Sequence, residues 1–545
     1  MADLSISRLT PGSARPTTAA KAPPAPGPQE GYAGSVEPRR YTVISLLGTS
    51  LSNGIGAPTE PREYVEKLAP QIQDNSLAVV ILGTYKEADQ NSWRSRRYAI
   101  DQQGVRDTTE SLSGFHIAHG QATPARGSEV SAMHPETVKR HILEAMREYP
   151  AEHYVLHINS HGSNLKGLGG CPNESLAADD HKGVLDHHSR LDKIDLPTLG
   201  EIFADVHKET GQKMSVVDID TCSMGFQEVN STLQPHADFI IASPAAEKGH
   251  KGVGDQPDRC GHQQVEVFEK IVQNPQITPR QLAREFIEVN AREGVIREGG
   301  QTYHAAPTLS AYSSQGIADL NQKLDQLGAR LLQELTAKPE RSLLSFFKKP
   351  LSGSQKIQNA VDQTRIFPSG KGDPYLDLQH FAENLAAQYP EDTEMQKLTA
   401  GVRQGVSEAA LASHHGVGDE DGKMVDYSPF GPLGVFLPGA KDNPFSEGIR
   451  TLYRSSASGA RFWNSAWEKV DQLKLNPEER DQLEAIQSQQ QFPPVLSPLG
   501  RRIWAHEVSQ RLPGLEEYHR TPNLPPQWKE FVLSWISETV SRGLS

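Results

Sequence analysis

The chain has 545 residues, with 55 Lys+Arg against 68 Asp+Glu and a formal net charge of −13. That sign argues against nucleic acid as the main partner, because a phosphate-binding surface needs the opposite charge. Three cysteines cannot form a disulfide framework or, alone, a four-cysteine metal centre. No stretch approaches the ~18 apolar residues of a membrane span, so no membrane partner is expected.

Residues 11–30, PGSARPTTAAKAPPAPGPQE, are mostly Pro, Ala and small polar residues. They carry too little apolar surface to offset the entropy of ordering, so 1–38 reads as a disordered leader. No apolar run follows a basic start, so a Sec signal peptide is not expected. Bacterial cytoplasm, or export by another route such as injection into a host cell, both fit this composition.

Order is expected from Arg39. Tyr41–Leu47 and Ser76–Leu82 are short apolar runs and predict buried strands, with a helix over 61–70 between them. A helix is predicted over 135–148, with Pro135 in its first turn and Val138, Ile142, Leu143 and Met146 on one face. A third strand follows at Tyr154–Ile158. Next come a helix over 198–210 with Gly211 as its C-cap, and strands at Ser215–Ile219, Phe239–Ala242 and Thr308–Tyr312. Strands alternating with helices at this spacing predict an α/β fold with a mostly parallel sheet. The expected catalytic body is 39–315.

An extension over 316–470 follows. Leu320, Leu324, Leu327, Leu331 and Leu335 predict a long amphipathic helix. Residues 339–372 read as a loose connection, 375–412 as helical, and Leu433–Leu437 as a short strand. From 445 the chain reads as mainly helical, with Trp463, Trp467, Trp504, Trp528 and Trp535 as packing anchors. The final region, 471–545, has no assigned role beyond docking a partner protein or capping the core.

Two strand ends carry the chemistry. One strand runs into Asn159-Ser-His161-Gly162, the next into Asp218-Ile-Asp220-Thr-Cys222-Ser-Met-Gly225. Sites in open parallel sheets form at carboxyl ends of strands, and consecutive strands are often neighbours. His161 and Cys222 can therefore meet. An imidazole can deprotonate a thiol for nucleophilic attack and later protonate a leaving amine. Gly162 and the N–H of Cys222 suit an oxyanion hole. Asp220, at the floor of such a cleft, suits a cationic side chain. The competing reading is a buried, inert Cys222. His157, His161 and the run Asp179, Asp180, His181, Asp186, His187, His188 do not share a helix face, so no metal site is assigned. Cys171 and Cys260 have no partner spacing.

These motifs resemble the clostripain family of cysteine peptidases, in the clan of caspases, gingipains, legumain and separase. The matches are Val155-Leu-His-Ile-Asn-Ser-His161-Gly162 and Val217-Asp-Ile-Asp220-Thr-Cys222-Ser-Met224-Gly225. Phe239–Glu247, Thr308-Leu-Ser-Ala-Tyr312, Tyr375-Leu-Asp377 through Phe381, and Leu433–Pro438 continue the resemblance in order. It implies a caspase-like αβα sandwich with a mostly parallel central sheet and a helical C-terminal region. It also implies a cysteine endopeptidase acting on proteins or peptides after Arg or Lys. His161 would be general base and acid, Cys222 the nucleophile, Gly162 and Cys222 the oxyanion donors, and Asp220 with Ser243 the S1 subsite. Relatives are often zymogens, which makes Lys166, Lys182, Arg190 and Lys193 candidate self-cleavage sites. The chemistry requires no cofactor; some relatives need calcium, for which Asp179, Asp180, Asp186 and Asp192 are candidate ligands. Where the family has Ser-Glu at a strand end, this chain has Ser243-Pro244. The alternative is a catalytically idle scaffold of the same fold.

Overall fold

The computed structural model describes residues 38–48, 63–86, 92–118, 121–162, 164–169, 182–183, 194–247, 261–336, 351–368, 375–420, 422–440, 477–489 and 515–542. The leader, the acidic loop residues Asp179, Asp180, Asp186 and Asp192, Arg190 and Lys193, and Trp463, Trp467 and Trp504 lie outside them.

Strand β1 (Arg39–Leu47) is followed by a π-helical turn at Tyr64–Leu68 and a 3-10 turn at Ala69–Gln71, then by β2 (Leu77–Lys86), β3 (Ser92–Asp101) and β4 (Gly104–Asp107). The hairpin β5 (Ser113–Ala118) and β6 (Gln121–Arg126) precedes α1 (Pro135–Glu148) and β7 (Ala151–Asn159). After the short β8 (Lys182–Gly183) come α2 (Leu196–Thr210), β9 (Met214–Asp220), α3 (Gln227–Leu233) and β10 (Ala237–Ala242). Helices α4 (Gln264–Gln273) and α5 (Pro279–Glu293) lead to the hairpin β11 (Val295–Glu298) and β12 (Gln301–His304). Strand β13 (Thr308–Ser313) closes the expected catalytic body, and α6 (Ser314–Thr336), α7 (Gly353–Gln363), β14 (Tyr375–Asp377), α8 (Leu378–Gln388) and α9 (Thr393–Ala409) follow. The chain continues with β15 (Ala410–His415), the hairpin β16 (Val417–Glu420) and β17 (Lys423–Asp426), and β18 (Gly434–Phe436). Three further helices are Pro477–Gln489, Leu515–Arg520 and Pro526–Arg542.

The main sheet has the order β15-β13-β10-β9-β7-β1-β2-β3-β4. Its five central strands, β10 to β2, are parallel, while β3, β4, β13 and β15 pair antiparallel at the two edges. The α/β reading holds, with a sheet that is mixed at its edges. Successive residues of a strand face opposite sides, and two apolar clusters form accordingly. Ile44, Leu156, Val217 and Ile219 face α1, α2, α3 and α6. Val43, Val155 and Val216 face α4 and α5.

Helix starts follow the sequence chemistry. Pro135 and Pro197 occupy first turns, Asp195 caps α2 through Thr198 N–H at 2.8 Å, and Gly211 ends it at φ 69°. Three expectations change. The 61–70 helix is reduced to the two short turns, the loose stretch 339–372 contains α7 behind a Ser352/Gln355 capping box, and 375–412 begins and ends as strand. The helix Pro526–Arg542 packs along α6, with Trp528 and Trp535 fully buried. No helix among the described residues is long and apolar enough to cross a membrane.

Candidate active site

Strands β7 and β9 run parallel in the register His157↔Asp218 and Asn159↔Asp220. That register sends His161 and Cys222 off neighbouring strand ends at the same level. The two loops then touch. A Cβ on Gly162 would lie 2.3 Å from Cys222 O and 2.4 Å from Thr221 Oγ1. Only glycine permits this approach. Asn164 N–H donates to Ser223 O at 3.0 Å, tying the loops again beyond the turn. Among the described residues the N–H groups of Gly162 and Cys222 donate to no acceptor.

The loop after β9 is held from the far side by the chain beyond β10. Ser223 N–H donates to Ala245 O, and the amides of Met224 and Gly225 both donate to Ser243 O. Ser223 sits at φ 56°, a conformation rarely adopted by a residue other than glycine, so the turn after Cys222 stores strain that these bonds sustain. Ser243 itself is fully buried, its hydroxyl 3.0 Å from Thr308 Oγ1 and 3.3 Å from Ala245 O.

Cys222 is a free, half-buried thiol. Its Sγ–H lies 3.4 Å from Glu247 O, and Glu247 N–H donates to the sulfur at 3.3 Å. Burial, with the Glu247 carboxyl next, pushes the thiol up to about 12. His161 is half-buried, its Nε2 has no hydrogen-bond partner among the described residues, and burial lowers its pKa. The resting pair is therefore thiol and neutral imidazole.

Beneath them lies a charged layer that sequence reading missed. Asp218 accepts from His157 Nδ1 at 2.8 Å and from His262 Nδ1 at 2.5 Å, with all three side chains fully buried. His262 Nε2 reaches Glu247 Oε1 at 2.8 Å. Asn159 Nδ2–H donates to Asp220 Oδ2 at 2.8 Å, and the α-carbon of Gly261 covers the same carboxylate so closely that a Cβ would overlap it. Burial opposes charge on His262, but Glu247, Asp218 and Asp220 outweigh it and hold the imidazole well above its ordinary pKa. Burial likewise opposes charge on Asp218, and the flanking histidines, led by His262, pull its pKa below the usual value. Burial raises Glu247 to about 8 against the pull of His262. The partial signal was present in the sequence: Asp218 and Asp220 alternate in a strand whose every residue is buried.

Asp220, Glu247 and His262 each offer a ligand atom within 4.8 Å of the others. A calcium ion wants six to eight oxygen ligands, and two carboxylates with an imidazole bonded to two acids do not fit it. Glu420, in the β16–β17 hairpin, adds negative potential at Cys222 and also accepts a hydrogen bond from the Tyr427 hydroxyl at 2.5 Å. Of the self-cleavage candidates, Lys166 is exposed in the turn Asn164–Lys166 and Lys182 lies in β8.

The strand-end His-Gly and Asp-x-Cys loops on this sheet define a cysteine-peptidase type of site. The clostripain family model matches residues 98–404, and the chain belongs to that family. Among solved structures it is similar to a secreted C11 cysteine protease from Bacteroides thetaiotaomicron in complex with an irreversible peptide inhibitor, at 16% identity over 76% of this chain and 96% of that one, with TM-score 0.46. It is also similar to an inactive zymogen C11 protease from Parabacteroides distasonis, at 14% identity over 75% and 94%, with TM-score 0.43. No curated protein matches the chain.

Proposed function

We propose that the chain is a cysteine endopeptidase that cleaves after Arg or Lys through His161 and Cys222. The observation that carries this is the seating of the His161-Gly162 turn directly against the Thr221–Cys222 backbone. In the reaction His161 Nε2 takes the Cys222 proton as sulfur attacks the scissile carbonyl carbon. The amides of Gly162 and Cys222, which have no acceptor among the described residues, receive the oxyanion. The imidazolium then gives its proton to the leaving amine, and an acyl-enzyme remains. Water, deprotonated by His161, attacks the thioester and returns the proton to the sulfur.

Asp220 supplies the negative floor for a basic P1 side chain. Glu247 beside it adds negative potential in support, and a basic side chain must displace Asn159 and Gly261 from the carboxylate and compete with the His262 cation. Ser243 acts as support, because its carbonyl holds the Cys222 loop and its hydroxyl is committed elsewhere. Substrate must draw Cys222 Sγ away from the Glu247 main chain for the thiol to meet His161. Self-cleavage at Lys166, Lys182, Arg190 or Lys193 is part of the same reading, supported by the exposure of Lys166.

The test is turnover of short fluorogenic peptides ending in Arg, Lys or Asp by wild type, Cys222→Ala and Asp220→Ala. Arg and Lys peptides should be cleaved by wild type alone. Asp220→Ala should lose roughly a hundredfold or more on them, as truncating one partner of a buried charge contact does. Preferred cleavage of the Asp peptide overturns the S1 assignment, and activity in Cys222→Ala overturns the mechanism. Intact mass of wild type and Cys222→Ala reads self-cleavage: identical single chains rule it out.

A further inference from the structure

The short helix Leu515–Arg520 packs against the turn Asn164–Lys166 and against α2. That turn begins two residues after Gly162, so a C-terminal segment reaches the loop that bears His161. Three buried polar groups meet there. Asn164 is fully buried at φ 42°, a costly conformation for a residue with a Cβ. Glu228 of α3 is fully buried, and the Asn164 amide is close enough to ease its ionisation. Tyr518 is fully buried, stacked on Phe436 with ring centroids 5.1 Å apart, and its hydroxyl feels the Glu228 charge.

The Asn164 amide atoms, Glu228 Oε2 and the Tyr518 hydroxyl have no hydrogen-bond partner among the described residues. A buried polar group left without a partner keeps its full desolvation penalty. The turn at Asn164 packs on both α3 and the helix Leu515–Arg520, and Glu228 lies within electrostatic reach of Asn164 and of Tyr518, so satisfying the three jointly, directly or through shared water, fastens the three elements together. Glu228 is anchored in turn, since its Oε1 accepts Phe436 N–H at 3.0 Å.

The same helix holds the other flank of the loop. Arg520 pairs with Asp195 at 3.1 Å. Asp195 caps α2 and follows Ile194, whose N–H and C=O both bond to Leu168 at 3.0 and 2.8 Å. The segment is fixed to the body nearby. Trp535 Nε1–H donates to Pro438 O at 2.8 Å, Gln527 N–H donates to Asp325 at 2.6 Å, and the backbone of Trp528 lies against Gly328 of α6.

We propose that residues 515–542 are a positioning element for the active site: Tyr518, through Glu228 and Asn164, and Arg520, through Asp195, fix the two flanks of the loop that bears His161. This rests on the peptidase reading above for its catalytic consequence, though not for the coupling itself. Tyr518 and Arg520 touch no reacting atom.

The full-length chain carries the test. Tyr518→Phe removes only a hydroxyl, and Arg520→Gln only a charge, so neither should unfold the protein. For each variant and the double variant, kcat and KM on an Arg-ending peptide, the thermal midpoint, and amide hydrogen exchange of residues 161–169 are measured. The double variant should lose roughly tenfold in kcat, as small displacements of catalytic groups do. KM and the thermal midpoint should hold at the wild-type values. Exchange should quicken at Gly167, Leu168 and Gly169, whose amides are bonded within and across this loop, and stay unchanged in α6. Unchanged exchange over 161–169 overturns the proposal, as does unchanged kcat in an active enzyme. A kcat loss that tracks a lower thermal midpoint, with exchange faster throughout, also overturns it. If wild type cleaves no peptide, the peptidase reading has failed, and exchange alone decides the coupling.

Discussion

The rim of the site and the layer under it are built on opposite terms. At the rim, among the described residues, His161 Nε2 is without a partner and the Cys222 thiol holds two long contacts, both to the main chain of Glu247. One layer down, Asp218 is bonded by two histidines and His262 is bonded by two acids. Strands β7 and β9 lead at their ends into His161 and Cys222 and carry His157 and Asp218 in their bodies, while Glu247 and His262 join the lower layer from the chain between β10 and α4. On the proposed reading the nucleophile and base must stay uncommitted, because a committed hydrogen bond lowers reactivity, and the strain at Ser223 needs rigid support. The bonds that converge on Asp218 and His262 are placed to give that support.

The largest effect should come from breaking the lower layer. Asp218→Asn removes the carboxylate between His157 and His262 and leaves His262 charged beside fewer acids. Loss of one partner from a buried ion pair typically costs about 3–5 kcal/mol, and denaturant unfolding should show a loss of that size. Stability within error of wild type would mean that the layer is not the rigid floor described here.

A second, smaller effect sharpens the description of the rim. A thiol held near 12 exposes almost no thiolate at pH 7. Iodoacetamide should therefore alkylate Cys222 in the substrate-free protein roughly a hundredfold or more slower than a free thiol at pH 7. The rate should climb with pH through the alkaline range. Rapid alkylation at pH 7 would instead reveal an imidazolium–thiolate pair already formed at rest.

Legibility in the sequence divides along the same line. The rim was readable because each part of it follows directly on a buried apolar run in the chain: His161-Gly162 after β7 and Cys222 after β9. The lower layer was not, since His262 is 44 residues from Asp218 and Glu247 is 25 from Cys222, and only the fold brings them together. Strands β3 and β4 escaped because Arg94, Arg96, Arg97 and Arg106 break any apolar pattern. All four of these arginines are paired, with Glu129, Asp107, Glu148 and Asp101 respectively, at an antiparallel edge. Helix α5 was missed despite a visible start, Thr278-Pro279 with Gln281 closing a capping box. The tryptophans 528 and 535 were legible as anchors, yet their partners Gly328 and Pro438 lie about a hundred residues or more away and follow no local pattern.

The smallest expected effect lies at the junction of the rim and the C-terminal segment. Burial raises the Glu228 carboxyl from 4.5 to about 7 in the folded chain. The folded protein therefore keeps this proton over a range in which the unfolded chain has released it. The associated stability is fully present below about 4.5 and is lost as pH rises towards about 7, after which no further loss occurs. Glu228→Gln cannot ionise and keeps an oxygen for Phe436 N–H. Its thermal midpoint should gain on wild type steadily between pH 4.5 and 7, then run parallel to it. A difference that is constant across that range would show that Glu228 is ionised in the folded protein. The contact between α3, the turn at Asn164 and Tyr518 would then be a charged one, held together by attraction to the Asn164 amide and Tyr518 hydroxyl as donors rather than by a shared proton.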